Sequence, residues 1–279
     1  MPNFDTPGPI SVELHLNVGV ARITAGRRAE TVVEVSPGGP GDADKTAAEQ
    51  TLVEFSGGKL LVRAPKKRGL FGSVGAIDVS IELPAGSNLV GDSAMGSLYC
   101  VGELGACEFK TEQGEIKVEQ AGRLRLNNGH GDVTVGCATG EAEVRASGEV
   151  RLGSIEGTLT FRNSNGATNI KEITGSLRAN ASNGDITVGR AHSDVTVHST
   201  HGSIRVGEVT RGLVDLKAAA GDLEVGVGKG SLAWLDVSTR SKTGSVHNSL
   251  GAAETSVPSE ATVQVQAVTG SGDVVIRPA

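Results

Sequence analysis

The 279-residue sequence predicts an all-β chain, a β-solenoid wound from short two-strand coils. Three observations carry that prediction. A five-residue unit, glycine–polar–aliphatic–any–aliphatic, recurs at a near-constant step along the middle of the chain. Apolar and polar residues alternate in short runs, the period of a strand with one buried face. Glycine, at 40 residues, is about twice as frequent as usual, and helix-forming periodicity is nearly absent.

Residues 1–90 read as an N-terminal β cap packed on the first coil. Its strands ("SVELHL", "VGVARIT", "TVVEV", "TLVEF", "KLLVRAP", "AIDVSIELP") are irregular and separated by longer loops such as "SPGGPGDADKT". Only "DADKTAAEQTLVEF" (42–55) carries enough helix formers for a couple of helical turns. Such a cap hides the edge strands of the first coil.

The solenoid is expected over 91–279. The unit occurs as "GSLYC" (96), "GEIKV" (114), "GDVTV" (131), "GEVRL" (148), "GATNI" (166), "GDITV" (184), "GSIRV" (202), "GDLEV" (221), "GSVHN" (244) and "GDVVI" (272). From 96 to 221 the steps are 17–19 residues. A second strand precedes each following glycine: "CEFKT", "LRLNN", "AEVRA", "LTFRN", "LRANA", "VTVHS", "VDLKA". One coil is therefore strand, glycine-containing turn, strand, turn. Stacked about 4.8 Å apart, the coils align their inward residues as columns. One column is expected to be Leu98, Ile116, Val133, Val150, Thr168, Ile186, Ile204 and Leu223. Its neighbour is Cys100, Val118, Val135, Leu152, Ile170, Val188, Val206 and Val225. Glycine supplies the positive φ of the corners, and Asn, Asp or Ser beside it supply turn hydrogen bonds and stack as ladders. After 221 the step stretches to 23 and then 28 residues. A C-terminal cap is expected from about 228, with Trp234 as its plug.

Composition narrows the function classes. Five Phe, one Tyr and one Trp are too few for a cleft or single-strand groove built on ring stacking. Net charge is −6 with acids and bases interspersed, so no basic stripe for nucleic acid is present. No apolar run is long enough to span a bilayer and no export signal is visible, so the expectation is a cytoplasmic chain without a transmembrane segment. Cys100, Cys107 and Cys137 lack CxxC spacing. Cys100 takes an aliphatic position of the repeat and reads as a core residue.

A resemblance joins these residues. The segment "VSIELPAGSNL" (79–89), the serial "GDITV"-type units and the closing "AWLDVSTRSKTGSVHNSL" (233–250) resemble a bacterial family known as a "putative adhesin" or β-strand-repeat domain of unknown function, its soluble actinobacterial members most. The resemblance covers nearly the whole chain. It implies a β-solenoid with no established enzymatic activity and no catalytic residues to carry over.

The chemistry-bearing residues point the same way. His192, His198 and His201 are the candidate metal ligands, His198 and His201 as H-x-x-H at a coil corner. A metal needs three or four ligands converging near 2 Å. The corner column through His201 continues as Asn183, Asn165 and Ser147, which reads as a polar ladder, so no metal or other cofactor is assigned. Glu115, Asp132 and Glu149 follow the glycine in successive coils, a spacing that would suit calcium or a glycosidase carboxylate pair. Lys117 and Arg151 stand two residues on along the same faces to neutralise them. No catalytic residue is assigned. The loop "APKKRGLFGSVG" (64–75) is the interaction candidate: Lys66, Lys67 and Arg68 beside Leu70 and Phe71 can dock a partner or touch an anionic surface. The expected function is a non-enzymatic scaffold or protein-interaction module with an unidentified protein partner, capable of homo-oligomerisation end to end or side by side. The alternatives are an adhesin-like surface or polysaccharide-binding protein and, behind these, a polysaccharide-active β-helix enzyme.

Overall fold

The computed structural model describes residues 2–65, 75–250 and 262–279. The chain folds into two compact units, Met1–Thr139 and Gly140–Ala279.

The first unit runs β1 (Asn3–Asp5), β2 (Ser11–Gly26), β3 (Glu30–Pro37), α1 (Asp42–Glu49), β4 (Leu52–Ser56), β5 (Lys59–Arg63), β6 (Ile77–Pro84), β7 (Asn88–Gln113), β8 (Ile116–Asn128) and β9 (Val133–Ala138). The helix occupies part of the stretch expected to make helical turns, and strand resumes at Leu52. β2, β7, β8 and β9 stack in parallel register, so Ala21, Leu98, Ile116 and Val133 form one buried column and Ile23, Cys100, Val118 and Val135 the next. β5 and β6 pair with the opposite edge of β2. β2 is thus an interior layer although it lies near the start of the chain. β3 on β6, β4 on β5 and β1 on β3 close this side with antiparallel pairs. Phe109 is buried where Gly91 leaves room. A Cβ at Gly91 would sit 3.1 Å from the Phe109 ring.

The second unit runs β10 (Ala142–Ala146), β11 (Val150–Ile155), β12 (Leu159–Asn165), β13 (Thr168–Ile173), β14 (Leu177–Asn183), β15 (Ile186–Ala191), β16 (Val195–His201), β17 (Ile204–Val209), β18 (Gly212–Ala220), β19 (Leu223–Val227), β20 (Leu232–Thr239), β21 (Val246–Asn248), β22 (Thr262–Thr269) and β23 (Val274–Pro278). Odd and even strands make two parallel ladders, one coil per pair. Val150, Thr168, Ile186, Ile204 and Leu223 lie in register, as do Leu152, Ile170, Val188, Val206 and Val225. All ten are buried. Thr168 keeps its place in an apolar column because Asn163, itself buried, reaches its hydroxyl at 3.3 Å.

The last coils do not stack in chain order. β22 and β23 pair with β18 and β19, and β20 and β21 pair with the far edge of β22 and β23. The coil met later in sequence is interior, and the 232–248 coil is outermost. Trp234 is therefore no plug. It faces outward in register with Gln264 and is 71% exposed, while the alternate residues Ala233, Leu235 and Val237 turn inward.

Glycine fixes the corner. Gly166, Gly184, Gly202, Gly221 and Gly272 have φ between +99 and +141°, a region costly for any residue with a Cβ. A Cβ on any of them would also lie 2.2–2.4 Å from the carbonyl oxygen of the corner glycine one coil away. The step of the repeat is set here, where backbones approach too closely for a side chain.

Candidate functional site

Corner residues Asp185, Ser203, Asp222 and Asp273 bond one coil to the next. Asp185 Oδ1 accepts the Ser203 N–H at 2.8 Å, and Ser203 Oγ accepts the Asp222 N–H at 3.1 Å. Asp222 Oδ1 then accepts the Asp273 N–H at 2.8 Å, and Asp273 Oδ1 the Ser245 N–H at 2.7 Å. These bonds run to the next coil and not within one turn, which corrects the expectation of local turn bonds. They follow the stacking order, with 273 before 245. The Ser245 N–H and hydroxyl hold the Asp273 carboxyl below its ordinary pKa. Glu115 lies 2.8 Å from Lys117 and accepts from the Tyr99 hydroxyl at 2.9 Å. Glu149 lies 2.5 Å from Arg151. Both carboxylates face the bases that stand two residues further on.

The three histidines do not converge. His192, in the turn between β15 and β16, bonds Glu172 Oε1 through Nε2 at 2.8 Å. Glu172, Arg190 and Glu208 occupy adjacent rungs, with Arg190 3.6 Å from Glu172 and 3.1 Å from Glu208. His192 and Arg190 together hold the Glu172 carboxyl below its ordinary range. His198 lies on the outward face of β16, between Asn180 and Lys217, with Nε2 3.8 Å from Asp215. His201 ends that strand beside Asn183, which donates to Asn165 at 3.0 Å, and Asn165 donates to Ser147 at 3.3 Å. Among the described residues no three His, Cys, Asp or Glu side chains gather as a metal site. The candidate loop residues Lys66, Lys67, Arg68, Leu70 and Phe71 lie outside the described residues. Cys100 is buried beside Cys107, and that neighbour together with burial pushes the Cys100 thiol pKa well above its ordinary value. Both features make it inert.

One charged cluster escaped the sequence reading. On the outward face of β2, His15 sits between two carboxylates, Nδ1 2.5 Å from Asp92 and Nε2 2.8 Å from Glu13. Glu13 also pairs with Lys59 and lies 3.7 Å from Arg63. A neutral imidazole has one donor and would turn a lone pair toward the other carboxylate, so the doubly protonated form is favoured. Glu13 and then Asp92 raise the His15 pKa, while Lys59 and His15 lower that of Glu13 to about 2. The E-x-H spacing placed Glu13 and His15 on one face. Asp92 enters only through the register of β2 with β7.

The other outward feature is apolar. The outermost coil of the second unit exposes Leu232, Trp234 and Val246. Its strands β20 and β21 have partners on one side only among the described residues.

A family model described as Toastrack DUF4097 matches residues 21–277. No curated protein matches the chain. Similar solved structures include a "putative adhesin" from Parabacteroides merdae (11% identity, 98% of this chain and 94% of that one, TM-score 0.46). A "putative lipid binding protein" from Parabacteroides distasonis is 13% identical over 100% of this chain and 95% of that one, with a TM-score of 0.38. A "putative adhesin" from Bacteroides fragilis is 9% identical over 99% of this chain and 95% of that one, with a TM-score of 0.34.

Proposed function

The chain belongs to the Toastrack DUF4097 family, and we propose that it is a non-enzymatic protein-interaction module that self-associates through its outermost coil. One observation carries this reading: the 232–248 coil exposes Leu232, Trp234 and Val246 beside strand edges whose outer sides have no partner among the described residues. A strand edge flanked by exposed aromatic and aliphatic side chains is a template for pairing with another chain. Asp185, Asp222, Glu115 and Glu149 support the non-enzymatic part, because they are committed to backbone N–H groups and to neighbouring bases.

Size-exclusion chromatography with light scattering across a range of concentrations tests the reading. The wild type is expected to form a concentration-dependent dimer or polymer, and Trp234→Lys with Leu232→Ser is expected to remain monomeric. Both side chains point outward, so the double variant keeps its fold. A wild type that is monomeric at every concentration overturns the self-association. The module is proposed to work in the cytoplasm, and recovery of the chain with membranes or medium on cell fractionation would overturn that placement.

A further inference from the structure

We infer that the sheet face formed by β10, β12, β14, β16 and β18 is a docking surface for an extended acidic protein segment. Parallel register puts Arg145, Arg162, Asn180, His198 and Lys217 in one outward column. The adjacent outward column is Glu143, Thr160, Arg178, Thr196 and Asp215. Each of the two acids is answered within the face: Glu143 lies 2.8 Å from Arg145, and Asp215 lies 2.9 Å from Lys217. Arg162 and Arg178, in the middle, are exposed and have no carboxylate within ion-pair distance among the described residues. The face therefore carries four permanent cations against two carboxylates, on a chain whose net charge is −6.

The geometry selects the occupant. With strands about 4.8 Å apart and a two-residue rise of about 6.6 Å, Arg162 and Arg178 stand diagonally about 8 Å apart. An extended peptide with acids on alternate residues carries carboxylates about 6.6 Å apart on one side, within reach of both guanidiniums. Asn180 adjoins both arginines and offers an amide donor and acceptor to the peptide backbone. No aromatic ring lies in either column to stack on a sugar, and no exposed apolar side chain lies there to enter a lipid surface. A protein segment fits what remains. The arginine pair stands on β12 and β14, with β16, β18 and β22 between it and β20 of the outermost coil, and the argument does not depend on self-association.

The test uses the full chain and a fluorescent peptide of alternating Glu and Ser, followed by anisotropy at low and high salt. Binding is expected for the wild type and weaker at high salt. Arg162→Glu/Arg178→Glu is expected to weaken it tenfold or more with an unchanged thermal melt. The charge-matched control Lys171→Glu/Lys229→Glu, at exposed positions outside the two columns, is expected to bind within twofold of wild type. Equal losses in the two double variants would reduce the effect to overall charge and overturn the proposal. So would tighter binding of polygalacturonate or of phosphatidylglycerol vesicles than of the peptide.

Discussion

Replacing Gly202 by alanine tests the physical basis of the coil step. Gly202 has φ +135°, and an alanine held there costs about 1–3 kcal/mol in backbone strain. The added Cβ would lie 2.2 Å from the Gly184 carbonyl oxygen, more than 1 Å inside ordinary contact. Relief requires the 184 and 202 corners to part, which stretches the bond from the Gly184 N–H to His201 O, now 3.0 Å, at a cost of about 1 kcal/mol. The Gly202→Ala cost is then about 2–4 kcal/mol. Gly230 separates the two causes. Its φ is +82°, but a Cβ there meets nothing within 4 Å, so Gly230→Ala is expected to cost only about 1–2 kcal/mol. Urea unfolding followed by circular dichroism reads both variants against wild type. If Gly202→Ala costs no more than Gly230→Ala, close approach does not set the step, and the corner argument fails.

Val188→Asp puts a carboxylate between Ile170 and Val206 in the core, and loss of the cooperative transition of the Gly140–Ala279 unit is expected on thermal melting. His198→Ala and His201→Ala lie outside that core, and each is expected to move stability by about 0.5 kcal/mol or less in the same assay. The His15 cluster predicts a pH dependence. The raised His15 pKa gives stability that is full below about 6.5 and lost as pH rises through the folded value. The lowered Glu13 pKa gives stability present above its ordinary 4.5 and lost as pH falls toward about 2. The melting-temperature advantage of wild type over His15→Gln is therefore expected to be larger at pH 5.5 than at pH 9, and an advantage that grows toward pH 9 would refute the assignment.

The inward columns were legible because their information is local. Alternation within "GDITV" and the near-constant step to "GSIRV" are enough to put Ile186 over Ile204. Stacking order is not local, and there the reading failed. "GSVHN" and "GDVVI" both carry the corner glycine, yet the second, later in the chain, is the interior coil. The reason lies in the last position of each unit. Ile276 completes an apolar column and is fully buried, whereas Asn248 in the same column is exposed and suits a coil with solvent on one side. The same exchange explains Trp234. It shares the parity of Asp236, and among the described residues no strand covers that face of the outermost coil. The surface sites were hidden for a related reason. Arg162 stands on one coil and Arg178 on the next, and they become neighbours only when the register is known. In a solenoid the core can be read one coil at a time, but a binding face belongs to several coils at once, so its chemistry emerges only after the stacking is fixed.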